Sequence, residues 1–162
     1  MASDTSAITA ILGFLDRIGI KVTAEPLEED GFLPAIRIRG GGIVYDPSRL
    51  LWPGDLLHEA GHIALTDPEL RPALDAVGVD PGEEMGAIAW SWAAAAELGL
   101  DPHILFHDGG YRGGGAALIE HFTAGCADLG VPILAWHGMS REPHVARREG
   151  TLPFPHMLRW LR

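Results

Sequence analysis

The sequence predicts a single α+β domain over residues 1–162, with a small antiparallel sheet packed against a buried helix and a second, glutamate-bearing helix. Three observations carry this expectation. Short apolar runs separated by turn residues occupy the first fifty positions. The stretch Asp55-Leu56-Leu57-His58-Glu59-Ala60-Gly61-His62, continuing into Ile63-Ala64-Leu65, has no proline, and the only charges after Asp55 are those of the motif itself, as a buried helix requires. From Pro81 to Leu98 the chain is rich in alanine and apolar nearly all round, with Met85, Ile88, Trp90 and Trp92, which marks a helix buried on most sides.

The elements follow in order. Ile8, Ile11, Leu12, Leu15 and Ile18 form one face of a first helix over residues 4–19, with Asp4 or Thr5 as cap and Gly19 as stop. Lys21–Ala24 and Ala35–Arg39 read as strands, the second alternating Ile36 and Ile38 with Arg37 and Arg39, the mark of a half-exposed strand. Gly40-Gly41-Gly42 turns the chain into a return strand, Ile43-Val44-Tyr45, ending at Asp46-Pro47. Asp55 is the expected N-cap of the central helix. Asp-Pro pairs at 67, 80 and 101 each precede a helix-like run, since aspartate caps and proline suits the first helical position. Short helices are expected over Pro102–His107 and Ala116–Leu129. The end of the chain, Met157-Leu158-Arg159-Trp160-Leu161, is expected to pack as a tail.

Composition narrows the function classes. A chain of 162 residues with 47% apolar content can bury a core. Its net charge of −10, from 12 basic and 22 acidic residues, disfavours nucleic acid and anionic membrane as partners, because both need a basic face. The cluster Arg141–Arg148 includes two glutamates and reads as a solvated segment. Cys126 is the only cysteine, so no intrachain disulfide is possible, and its small neighbours suggest a core position. Residues 1–6 lack a secretory pattern, and a soluble cytoplasmic protein is expected.

The motif carries the chemistry. On a helix, His58 and His62 lie one turn apart on one face and can grip a single ion, while Glu59 stands beside them as a base for water. A catalytic zinc takes three protein ligands and leaves one position open. The continuation that places a third histidine downstream fails, since Leu65 and Pro68 occupy its glycine and histidine positions. Glu83 and Glu84 are the alternatives. Asp80-Pro81-Gly82-Glu83 is a capping box, which employs Glu83. Glu84 lies about 100° further round, on the face of Ala87, Ile88 and Ser91, where a carboxylate needs a positive partner. Two imidazoles and a carboxylate also suit Mn²⁺, Fe²⁺ or Ni²⁺.

The order of elements resembles the gluzincin-type zinc metallopeptidases, most nearly the compact cytoplasmic ImmA/IrrE-like group. The resemblance covers about residues 36–98: strands ending in Ile43-Val44-Tyr45-Asp46-Pro47, the helix with His58-Glu59-Ala60-Gly61-His62, and a helix with Glu84-Met85-Gly86-Ala87 and Trp90. It implies a zincin-like fold, one Zn²⁺ held by His58, His62 and Glu84, Glu59 as general base or acid, and a peptide or protein substrate. Four residues past Glu84, where such enzymes often have a polar residue, this chain has Ile88, so the hydrogen bond that orients a ligand must come from elsewhere. The alternative is a non-catalytic metal-binding, sensing or interaction domain that keeps the fold.

Hydrolysis also needs a donor for the developing oxyanion, and Tyr111, His107 and His121 are candidates. Tyr111 in the loop 108–115 reads either as a mobile donor or as an incidental surface tyrosine. That loop lacks the Gly-Lys-Ser/Thr ending of a phosphate-binding loop. His103 and His107 repeat the spacing of the motif histidines, with capping or packing as the plainer reading. Glu120 and His121 are adjacent and diverge around the helix, which favours solvation over a proton relay.

Overall fold

A computed structural model describes residues 2–29, 31–78 and 80–162, with residues 2–4 as backbone only. Helix α1 (Ala2–Ile18) leads into strand β1 (Val22–Ala24), then β2 (Ile36–Arg39) and β3 (Gly42–Tyr45). Helices α2 (Asp55–Leu65), α3 (Pro81–Glu97), α4 (Pro102–Leu105), α5 (Gly115–Thr123), α6 (Val131–Trp136) and α7 (Pro143–Glu149) complete an α+β domain of seven helices and three strands among the described residues. None of these helices is long and apolar enough to cross a membrane.

The strands pair in the order β1-β3-β2. The β2–β3 hairpin is antiparallel, with Ile36 opposite Tyr45, and its two-residue loop, Gly40 and Gly41, has positive φ at both positions as a type I′ turn requires. β1, however, runs parallel to β3, with Val22 opposite Ile43. The sheet is therefore mixed, not antiparallel as expected. The cause is the 25–35 connection, which carries the chain past the place of β3 to the far edge before it turns back. Burial follows position: all four residues of the central β3 are buried, while β2 buries Ile36 and Ile38 and exposes Arg37 and Arg39.

Helix α2 is the centre of the molecule, with all eleven residues buried. Its N-cap is Gly54, whereas Asp55 is the first helical residue and makes no capping bond, a correction taken up below. A Cβ at Gly54 would stand 2.1 Å from the Ile104 carbonyl oxygen, so the helix start is pressed against α4. At the other end Arg71 donates to the carbonyls of Ile63 (3.0 Å), Thr66 (3.1 Å) and Arg162 (3.0 Å). A cation on those free carbonyls satisfies acceptors that have no partner within the helix. Arg162 adds its backbone N–H to Ala64 (2.9 Å). The tail is packed as expected: Trp160 meets Phe14 edge-on at 4.8 Å and accepts a bond from Trp90 Nε1 at 2.9 Å.

Several local expectations change. α1 begins at Ala2, ahead of Thr5, and the side chain of Asp4 lies outside the described residues. Asp67-Pro68 opens a turn and a single 3₁₀ turn (Arg71–Ala73), not a helix. α5 stops at Thr123 because Gly125 takes a left-handed conformation, and Cys126 beyond it is exposed, not a core residue. Asp80 caps α3 as read, accepting from the N–H groups of Gly82 (2.7 Å) and Glu83 (3.1 Å).

α2 and α3 touch at Gly61, where an added Cβ would lie 2.9 Å from the Ala87 carbonyl oxygen and 3.0 Å from its Cα. Backbone cannot yield as a side-chain tip can. The substitution Gly61→Ala gains about 1 kcal/mol of helix propensity but forces the two helices apart, a strain of about 1–3 kcal/mol. Chemical denaturation is therefore expected to show a net loss of stability; a more stable variant would mean that the contact is loose.

Candidate metal centre

The central helix points two imidazoles at one carboxylate. His58 and His62, four residues apart and 3% and 2% exposed, present Nε2 atoms 3.2 Å from each other. Glu84 enters from α3, its Oε1 at 3.4 Å from His58 Nε2 and its Oε2 at 3.2 Å from His62 Nε2. Among the described residues these three form the one group of His, Cys, Asp or Glu side chains with converging ligand atoms, and they could hold a metal ion. Tetrahedral bonds of about 2.0–2.1 Å place ligand atoms about 3.3–3.4 Å apart. Each observed separation lies near that value, with Glu84 offering a different carboxylate oxygen to each imidazole. The imidazoles beside Glu84 hold its carboxyl well below the usual range, so it is a carboxylate at neutral pH.

Glu83 does not complete the reciprocal half of its capping box in the way expected. Its Oε1 lies 3.8 Å from His62 Nδ1, a buried nitrogen with no hydrogen-bond partner. His58 Nδ1 faces the Tyr111 hydroxyl at 3.4 Å. Each histidine thus turns its second nitrogen toward a polar group, and Ile88 supplies none, in keeping with its apolar side chain.

Glu59 is 3% exposed and its Oε1 has no partner. Burial, opposed by His62 and reinforced by Asp55 and Glu84, raises its carboxyl to about 7. It lines a small polar cavity of about 230 Å³ with Glu29, Arg37 and Asp75, beside the outer edge of β2. The larger cavity, about 750 Å³, opens over His58, His62 and Glu84. Phe32 and Val77 line both, so the two cavities adjoin, with Glu59 in the lining of the smaller and His58, His62 and Glu84 in that of the larger.

Tyr111 stands in the wall of the larger cavity, half-buried and edge-on to Phe106 at 4.9 Å. Tyr111 and Arg112 both take left-handed conformations, φ 54° and 52°, which side chains rarely adopt. Burial and the nearby carboxylates of Asp55, Glu84 and Glu59 push the phenol pKa upward, so the hydroxyl keeps its proton. His121 lines the same cavity from α5, its Nε2 3.1 Å from Asp128 Oδ1 without hydrogen-bond alignment. His103 is exposed and bonds Asp101 at 2.9 Å, so it does not join His107 as a second metal pair.

Asp55 and His107, one read as a helix cap and the other as an oxyanion donor or metal ligand, instead form a buried pair, Oδ1 to Nε2 at 2.9 Å. Trp52 stacks on the His107 ring at 4.3 Å and 5°. Fifty-two residues separate the partners, and no spacing rule links them. No family model, curated protein or solved structure matches this chain.

Glu59 gives a pH-dependent expectation for the metal-free protein. A carboxyl raised from 4.5 to about 7 favours folding in its protonated form. That contribution is full below about pH 4.5 and is lost as pH rises through about 7. In chelator, Glu59→Gln is expected to be more stable than wild type at about pH 8.5, by about 2–3 kcal/mol, with the gap closing toward about pH 5. Thermal unfolding at the two pH values reads it; a gap independent of pH would show that folding does not raise the Glu59 carboxyl.

Proposed function

We propose that this chain is a zincin-like, zinc-dependent metallopeptidase, a hydrolase of a peptide or other amide bond, similar to the ImmA/IrrE-like group. The observation that carries this reading is the convergence of His58, His62 and Glu84 beside a buried carboxylate, one residue after the first of them. Structural zinc sites fill all four positions with protein atoms and have no use for such a carboxylate.

A divalent ion held there supplies Lewis acidity, activating water and polarising a carbonyl. The chain's own residues do the rest. Glu59 Oε1, free of any partner, accepts the proton of the attacking water and returns it to the leaving amine. With both Nε2 atoms committed to the ion, His58 Nδ1 carries a hydrogen and donates to the Tyr111 oxygen. The Tyr111 O–H is then free to turn into the cavity and stabilise a developing oxyanion.

The edge strand offers an extended peptide its Ile38 end, since its Ile36 end is already covered by the chain's own Gly31. The Ile36 carbonyl faces outward and accepts from Gly31 N–H at 2.8 Å. Residues two apart point alike, so the backbone of Ile38 also faces outward, along the cavity that Glu59 lines.

Zinc-loaded protein is expected to cleave members of a random peptide library, and Glu59→Gln to bind the same amount of zinc yet lose about 10²–10⁴-fold in rate. Undiminished cleavage by Glu59→Gln contradicts the mechanism. Zinc retention with no cleavage by either protein favours the non-catalytic metal-binding domain instead.

A further inference from the structure

The two cavities that meet at Phe32 and Val77 differ in character. The one lined by Glu59 is small and polar. The one above the ligands holds about 750 Å³, within the range of sites that enclose a small molecule and well beyond the needs of a few waters. Val77, Ile88, Leu118 and Leu129 give it aliphatic walls. Its acidic groups have other employment: Asp55 is bonded to His107, Asp80 caps α3 and Glu84 lies against the two imidazoles, while His121 Nε2 and the Tyr111 hydroxyl are the polar atoms left to the cavity. Arg112 stands at the exposed rim. A polar occupant would surrender its hydration to walls that offer few partners, whereas an apolar one releases water from both surfaces.

We infer that this cavity binds a bulky apolar group flanking the scissile amide, so that the substrate class is an amide carrying a large aliphatic or aromatic substituent on the metal side. The inference rests on the hydrolase reading above. It also gives Ile88 a role. One turn beyond Glu84, its side chain contributes to the apolar wall while the second nitrogens of the histidines face Tyr111 and Glu83. The cavity determines which substituent is accepted, and the polar side at Glu59 is left for water and the peptide backbone.

Straight-chain hydroxamates test this, because the head group binds a metal and the tail reports on what surrounds it. Calorimetric titration of zinc-loaded protein with the series from acetohydroxamate to octanohydroxamate is expected to show affinity rising about two- to fourfold per methylene. Ala117→Phe, which narrows the cavity from an exposed position on α5, and Leu118→Asn, which makes its wall polar, are each expected to flatten that rise. Equal affinity across the series overturns the inference and leaves the metal centre standing, as does a rise that both variants retain. Failure of the protein to take up zinc, or of every hydroxamate to bind the loaded form, overturns the underlying reading and this inference with it.

Discussion

The candidate metal centre depends on how closely α2 and α3 approach. Two ligands come from one helix and one from the other, so the distance between helix axes sets whether Glu84 reaches the imidazoles. At Gly61 the backbones meet with no room for a Cβ beside Ala87, and Gly86 on the facing helix is crowded by the side chains of Leu65 and Ile133. Small residues let the helices close until Glu84 stands 3.2–3.4 Å from both Nε2 atoms. The two glycines and the alanine-rich face of α3 are thus part of the site, although none offers an atom to a ligand.

The same helix pair is braced at each end by contacts remote in sequence. Arg71 and Arg162 close the C-terminal carbonyls of α2, while the Trp52–His107–Asp55 stack covers its N-terminal turn. The Phe14, Trp90 and Trp160 cluster fixes α3 against α1 and the tail. A wholly buried helix bearing two histidines, a glutamate and an aspartate is expensive unless each polar group has a partner. On α2 the buried atoms left without one are Glu59 Oε1 and His62 Nδ1, in or adjoining the candidate ligands, and elsewhere among the described residues they are His107 Nδ1 and His121 Nε2. A cation at the cluster would offset the cost of burying Glu59 as an anion, and its binding would then be linked to folding.

Much of this was legible in the residues. The helix period placed His58 and His62 on one face, Asp80 was read as the cap of α3, and strand alternation identified β2 as half-exposed; the capping role that set Glu83 apart from Glu84 is met only on the Asp80 side. The direction of β1 was not legible, because pairing depends on where the 25–35 connection delivers the chain and not on the pattern within any strand. The unbroken burial of β3 was the available signal for a central position: Ile43-Val44-Tyr45 has no polar alternation. Asp55 looked like a cap by type and place, and only the fold could bring His107 to it across fifty-two residues. Tyr111 is beside His58 because two consecutive residues accept left-handed backbone in a loop whose glycines hid that strain.

The central claim is that two helices deliver three ligands to one ion, with Glu84 and not Glu83 as the third. Elemental analysis of tag-free protein, reconstituted with zinc and dialysed, tests it most directly when wild type is compared with Glu83→Ala and Glu84→Ala. One zinc per chain in wild type and in Glu83→Ala, lost in Glu84→Ala, is the predicted result. A wild-type protein that takes up no zinc, or a Glu84→Ala variant that keeps it, would contradict the account.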